Sequence, residues 1–397
     1  MNIDLIELRQ KALQILTHLV KVIGPRPAGS PAESGSLDWL EQQFKTANLE
    51  INRFPVKYQP DPAFFPFYSL AAVGFLVAGL ALPSSGWLCL ILPVLVIILP
   101  EAALWLQKVI LPFRDGSSNL LAILDSSTIE QTDIILCAHI DTARAVPADF
   151  PIWQKWRNEI FFIMMRISIL LAIWGILQAS GFTFSVFILS LGQYLAFGMT
   201  GILVFQDLWE QIGSQGKFTV GANDNASGVS ILAALALALA VEPPKKLKVG
   251  FLFTGAEECG LHGARQFADH LAALNLRPIV ISVDMVGAGT GLRIITHSGT
   301  VFPVSTSDDV NQLLKRADPL AVFHAAPRRW GDFVPFARAG IPVGHIENTG
   351  TPISWATYHT GKDDLEVIDP ELIQHAGEVL VQLIWILDKN KPDIVDK

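Results

Sequence analysis

His139, Asp224, Glu258, Asp284 and His359 carry side chains that bind divalent cations, and each lies in a short motif. The motifs are AHID (138–141), GANDNASG (221–228), GAEECG (255–260), VDMVG (283–287) and YHTGKDD (358–364). Three carboxylates and two imidazoles suffice to hold two cations side by side, one carboxylate bridging them. A cation pair acidifies a bound water and polarises a carbonyl, which is the chemistry of amide hydrolysis. Asp141 and Glu257 stand beside ligands in the chain, where an orienting carboxylate and a general base belong.

The elements that must position these groups alternate between strand and helix. Apolar runs at 120–124, 133–137, 247–254, 278–284, 292–296 and 341–346 read as buried strands. Helices are expected at 4–23, 32–47, 226–241, 261–274, 332–339 and 370–388. That alternation predicts an α/β fold with a mixed, mostly parallel central sheet flanked by helices. Open α/β sheets gather ligands at the carboxyl ends of their strands, and the motifs of His139, Glu258 and Asp284 follow apolar runs.

Residues two apart on an extended chain face the same way, so Asp141 can accept the second N–H of His139. Asp224 and Asn225 both precede a helix opening with Ala-Ser-Gly-Val, and either can serve as its N-cap. A cap at Asn225 leaves Asp224 free to bridge metals. Glu257 and Glu258 are adjacent and project differently, so one can coordinate while its neighbour faces a bound water.

The chain has 397 residues, 51 % hydrophobic and 17 % charged, against roughly 45–50 % and about 25 % in soluble domains. The excess is concentrated in two blocks, 64–113 and 160–206. Within the first, 64–82 carries no charge, Pro83-Ser84-Ser85-Gly86 makes a turn, and 87–106 carries only Glu101. In the second, 160–179 is interrupted by Arg166, Ser168 and Gln178, a Ser180-Gly181 break follows, and 182–205 carries no formal charge. Each arm approaches the ~20 residues that cross a bilayer core. Two transmembrane hairpins in contact with lipid are therefore expected, with Arg166 near the start of its arm where its stem can snorkel. Buried helical pairs capping a soluble enzyme are the alternative.

The hairpins leave 1–63, 114–159 and 207–397 as pieces of one catalytic domain. Lys57, Lys108, Arg114, Lys155, Arg157 and Arg166 flank the domain side while the tips carry neither Lys nor Arg. That bias predicts an integral membrane protein with its catalytic domain in the cytoplasm. The amino-terminal segment is amphipathic, without the pattern of a signal peptide. Cys89, Cys137 and Cys259 form no disulfide framework, which suits a reducing compartment. A net charge of −8 argues against a nucleic-acid partner.

Together the five motifs resemble the zinc exopeptidases of metallopeptidase family twenty-eight, which include aminopeptidase Y, bacterial leucyl aminopeptidase and glutamate carboxypeptidase. The likeness extends through IGPRPAGSPAE (23–33), SSNLLA (117–122), WGDFVPFARAGIPV (330–343) and YHTGKDDLEVID (358–369). It implies two Zn2+, with manganese or cobalt also suited to such ligands. It places His139 and Asp284 on one metal, Glu258 and His359 on the other, and Asp224 between them. Asp141 then orients His139, Glu257 is the general base, and the substrate is a peptide. Asp332 falls where the family carries Ser-Asp-His-x-x-Phe; the serine and histidine are missing, and it receives no role. The family joins the positions of His139 and Asp224 by a short connection, and here the second apolar block intervenes. Family members are mostly secreted or lumenal, in contrast to the orientation read from the flanking charges.

Aminopeptidase action on short peptides is the expected activity. Arg328 and Arg329 can instead meet a terminal carboxylate, as a carboxypeptidase requires, or remain a solvated basic pair. The Tyr358 hydroxyl can hold a tetrahedral oxyanion or simply pack. Two other readings are a glutaminyl cyclase, a zinc acyltransferase of the same fold that generally works with one metal, and a membrane pseudoenzyme serving as a scaffold. The sequence carries no signal for oligomeric state.

Overall fold

The computed structural model describes residues 3–60, 111–124, 127–146, 217–299, 303–326 and 329–391, with scattered positions between 163 and 209. Strands β3 (Ile134–His139) and β4 (Val249–Thr254) are buried at every position, and β5 (Ile279–Val283) at all but its first. Runs that are apolar on both faces must be covered on both faces, and they form the parallel centre of a sheet. β3 lies between β4 and β5, parallel to each, with His139 opposite Thr254 and Cys137 opposite Ser282. β9 (Val343–Asn348) continues the parallel set beside β5.

The flanks run the other way. β1 (Glu50–Tyr58) pairs antiparallel with β2 (Arg114–Ile123), which pairs antiparallel with β4. On the far side β6 (Leu292–Ser298) is antiparallel to β9 and to β7 (Val304–Ser305), and parallel to β8 (Val322–Ala326). The expected mostly parallel sheet is thus parallel only at β4-β3-β5-β9 and at β6-β8. β1, β7 and β8 were not expected from the pattern. β1 reads EINRFPVKY, half-exposed and interrupted by Pro55, a residue that sheets tolerate at an edge.

Helices cover both faces. On one, Leu8, Ile15, Phe44, Leu232, Leu380 and their neighbours pack on Leu136, Phe251 and Ile281 of the sheet. On the other, Phe267, Leu271 and Phe336 pack on Leu121, Leu252 and Val280. The amino-terminal helix, Leu5–Thr17, passes into a wider turn at His18–Ile23, and helix Pro31–Thr46 starts at an N-cap, Ser30, followed by Pro31. Helices Asp308–Ala317 and Pro352–Thr357 were not expected; the first is strongly polar and the second is short. Among the described residues one helical stretch, Ala222–Val241, is long and apolar enough to cross a membrane, and 78 % of it is buried inside the protein. A helix apolar all round and covered all round is a core helix.

The chain divides into two compact units. One comprises Met1–Asp61, Phe113–Ala145 and Phe218–Lys397 and contains the sheet; the other comprises Pro62–Pro112 and Val146–Lys217. In the second unit the described positions are helical at 163–177 and 191–209, and they expose Ile163, Leu170, Ile173, Ile176, Leu191, Leu195 and Phe205. The expected first hairpin lies outside the described residues apart from 111–113.

Candidate active site

Adjacent strands deliver most of the expected ligands to one edge of the sheet. His139 ends β3, Glu257 and Glu258 follow β4, and Asp284 follows β5. Asp224 sits in the turn Ala222–Ala226 before the core helix Ser227–Val241, and His359 lies just after Pro352–Thr357. All five come together. Asp224 Oδ1 is 3.2 Å from His139 Nε2, and its Oδ2 is 3.1 Å from His359 Nε2. His139 Nε2 also lies 3.6 Å from Asp284 Oδ1, and His359 Nε2 lies 3.3 Å from Glu258 Oε2. Two clusters therefore share one carboxylate.

These donors fit divalent cations. The atoms of His139, Asp224 and Asp284 lie within 4.8 Å of one another, as do those of Asp224, Glu258 and His359. Glu258 Oε1 and Asp284 Oδ1 are buried without a hydrogen-bond partner, an arrangement that is costly unless a cation meets them. His139 and Asp224 are buried, while Glu257, Glu258, Asp284 and His359 keep some exposure, so the cluster has an open side.

The protein's own charges act strongly here. Burial opposes charging of His139 and His359, but the surrounding carboxylates outweigh it and push both imidazoles well up. Burial pushes Glu258 up to about 7, against the pull of His359. Glu257 is pushed well above the usual carboxylate range by burial and by Glu258, Asp332 and Asp284, against the pull of His139. A carboxylate with raised proton affinity beside a metal cluster suits a general base.

Asp141 works differently from its expected geometry. The Nδ1 of His139 lies 3.2 Å from the backbone oxygen of Asp141 and 3.6 Å from its carboxylate. The carboxylate instead accepts the N–H groups of Glu257 at 3.0 Å and Glu258 at 3.1 Å. The two preceding N–H groups are also held by side chains, Gly255 by Asn119 and Ala256 by Glu33. Four successive amides of the loop bearing the base are thus fixed from other elements. A Cβ at Gly255 would lie 2.3 Å from Ser117 Oγ and 2.6 Å from Glu33 Oε1. Glu33 also accepts from Gly29 N and Ser117 Oγ, and burial together with Asp141 raises it to about 8.

The other ligand loops are tied in the same manner. Arg26 is fully buried and donates to the backbone oxygens of Leu19, Gly24, Ile140, Val220 and Gly221. Asp363 accepts from the N–H groups of Asn223 and Asp224. Asn225 Oδ1 accepts from Gly228 and Met285, and its Nδ2 donates to Val283. Asn225 is therefore the cap, and the Asp224 carboxylate is left to the imidazoles. Glu33, Asn119, Arg26 and Asp363 were not assigned from the sequence. The available signal was polar residues beside glycines in the segments that carried the family likeness.

Tyr358 stacks on His359 with ring centroids 3.8 Å apart, and burial beside Asp224 and Glu258 pushes its hydroxyl well up. Arg329 is not a solvated cation: it pairs with Glu347 and lies 4.6 Å over the Trp355 ring. Arg328 lies outside the described residues. Asp332 is buried; its Oδ2 accepts from Thr254 and Cys137, while its Oδ1 has no partner.

Residues 206–384 match the profile of Peptidase family M28. The matched M28 segment contains Asp224, Glu257, Glu258, Asp284 and His359; His139 and Asp141 lie upstream of it. Aminopeptidase YwaD of Bacillus subtilis (strain 168) is 30 % identical over 192 residues, covering 45 % of this chain and 41 % of that relative. The chain therefore spans less than half the length of the curated relative it matches. In fold it is similar to the LapA aminopeptidase of Legionella pneumophila, with a TM-score of 0.56 at 14 % identity, covering 98 % of this chain and 74 % of that one. The zinc aminopeptidase BSAP of Bacillus subtilis gives 0.56 at 17 % identity, covering 97 % and 96 %. A glutaminyl cyclase of Tannerella forsythia gives 0.58 at 14 % identity, covering 97 % and 99 %.

Proposed function

We propose that this protein is a membrane-anchored two-zinc metallopeptidase that removes amino-terminal residues from short peptides. The observation that carries the reading is Asp224, which offers one carboxylate oxygen to each of two imidazoles. In this reading His139 and Asp284 hold one cation, Glu258 and His359 hold the other, and Asp224 bridges. When bound, the cations supply an acidified water and polarise the scissile carbonyl. Glu257 takes the water's proton and returns it to the departing amine. Asp141 keeps Glu257 and Glu258 in place through their N–H groups, and its backbone oxygen orients His139. Tyr358, kept protonated, can donate to the developing oxyanion.

Membrane anchoring is supported by the length and composition of the two apolar blocks, and by the apolar residues exposed along 163–177 and 191–209. The flanking basic residues favour a cytoplasmic catalytic domain.

The test is metal analysis of the detergent-purified protein alongside hydrolysis of a peptide panel. Close to two zinc per chain, with turnover abolished in Glu257→Gln, supports the peptidase. One zinc per chain with pyroglutamate formation from amino-terminal glutamine supports the cyclase instead. A folded protein that binds no metal removes both and leaves a scaffold.

A further inference from the structure

Beside His359 the chain assembles a row of rings and guanidinium groups that the hydrolytic step does not use. Tyr358, stacked on His359, meets Trp355 edge-on at 6.1 Å, and Arg329 lies over the far ring at 4.6 Å. Arg293 faces the same ring at 5.4 Å. Both guanidiniums donate to a single oxygen of Glu347, Arg293 through Nε at 2.8 Å and Arg329 through Nη2. Two cations on one carboxylate leave one positive charge uncompensated. Two histidines also face the trio. His345 Nε2 is 3.8 Å from the second Glu347 oxygen, while burial and then Arg293 push His324 down toward neutrality.

The two arginines differ in access. The Arg293 side chain is 7 % exposed and that of Arg329 is 21 % exposed. Among the described residues, Glu347 is the only hydrogen-bond acceptor that the Arg329 guanidinium meets. Tyr358 and the ligand Asp284 are close enough to act on its charge. A guanidinium clamped by a carboxylate and a ring has already lost much of its freedom. It can accept a planar carboxylate in two parallel hydrogen bonds at little further entropic cost.

We propose that Arg329 is a specificity-determining residue that receives a carboxylate of the bound peptide, so that peptides with an anionic group close to the cleaved bond are preferred. The inference rests on the peptidase reading of the adjoining cluster. The carboxylate has two chemical sources, the free carboxyl terminus of a very short peptide or an Asp or Glu side chain, and the same arginine serves either.

The experiment compares kcat/KM for a dipeptide and its carboxyl-terminal amide, and for matched peptides beginning with Glu or Gln. Wild type, Arg329→Gln and Arg329→Lys are each measured. Wild type is expected to favour the carboxylate member of one pair by about tenfold, mostly through KM. That preference disappears in Arg329→Gln and survives in part in Arg329→Lys, while the neutral member changes little in all three. A preference within the first pair assigns the terminal carboxylate, and one within the second assigns the side chain. Equal rates within both pairs for wild type, or a preference that persists in Arg329→Gln, overturns the proposal. Arg329→Lys keeps the charge beside Glu347, and it serves if the glutamine variant does not fold. If no peptide is cleaved, the peptidase reading has failed, and calorimetry of glutamate, glutamine and glutamine amide decides the point. Binding that weakens when a carboxylate is replaced by an amide, a difference lost in Arg329→Gln, sustains the carboxylate site, and equal binding of all three ligands overturns it.

Discussion

In the proposed site, Asp224 and Glu257 separate holding metal from using it. Asp224 faces two imidazoles with its two oxygens, so in the proposed site its loss weakens both cation positions at once. Asp224→Asn is expected to bring zinc below one per chain after dialysis, measured by elemental analysis. Glu257 is not needed as a ligand in that scheme, and its raised proton affinity is the property a base requires. Glu257→Gln is therefore expected to retain both zincs while kcat falls by about 10²–10⁴-fold. Parallel loss of metal and activity in Glu257→Gln would show it to be a ligand instead. Asp141 is intermediate, because its carboxylate fixes the amides of both glutamates. Asp141→Asn turns an amide N–H2 toward one of those N–H groups, and zinc affinity is expected to fall about 10–100-fold, as competition with a chelator would report.

The strands and loops that carry these residues were legible to different degrees. β3, β4 and β5 announce themselves because their apolar runs are nearly continuous, and His139, Glu258 and Asp284 were found because they end or follow such runs. β1 was missed because EINRFPVKY shows neither a continuous apolar run nor a clean alternation. Glu33, Asn119 and Arg26 were missed for another reason: their partners are backbone groups of loops distant in sequence, and no local pattern encodes such a meeting. Asp141 was found beside His139, but the two amides its carboxylate also accepts were not, since strand alternation cannot reveal N–H groups arriving from the loop after β4. Arg26 gives the clearest consequence. Arg26→Met removes a donor from five backbone oxygens, of which Leu19 and Gly221 keep another N–H, and at about 1–3 kcal/mol for each buried group left unsatisfied the fold is expected to lose about 3 kcal/mol or more. The urea midpoint of the metal-free protein measures it. Glu347 ties β9 to Arg293 of β6. Burial opposes its charge, but His345, Arg329 and Arg293 outweigh burial and hold it down to about 2, from an ordinary value of 4.5. A depressed carboxylate stabilises the fold fully above its unfolded pKa and loses that contribution as pH falls through the folded one. About 3 kcal/mol is expected to disappear between pH 4.5 and about 2. Glu347→Gln should flatten that part of the stability profile, and an unchanged acid limb would mean that the ion pair contributes nothing.

At the scale of the molecule, the question is where an unusually apolar chain keeps its apolar surface. The core helix Ser227–Val241 accounts for one apolar stretch, and it is covered by protein. The residues exposed at 163–177 and 191–209 are not covered: Leu170 is 63 % exposed and Tyr194 74 %. Exposed apolar side chains in such number mark contact with lipid or with another protein, and arms of about 20 residues favour lipid. In the proposed topology two hairpins return the chain to the side from which it entered, so every proposed ligand remains in one compartment. The full-length protein is therefore expected to stay in the membrane pellet after washing with alkaline carbonate. Release into the supernatant would show that the exposed face is covered by protein, and the hydrolytic reading would stand unchanged. Orientation has its own measurement. With the native cysteines replaced, Ser180→Cys at the expected tip of the second hairpin should react with a membrane-impermeant thiol reagent from the outer side of sealed vesicles. Glu242→Cys, at the end of the core helix, should react only after the membrane is opened. The opposite labelling would put the proposed active site outside the cell, where the flanking Lys and Arg would no longer obey the charge bias that oriented the chain.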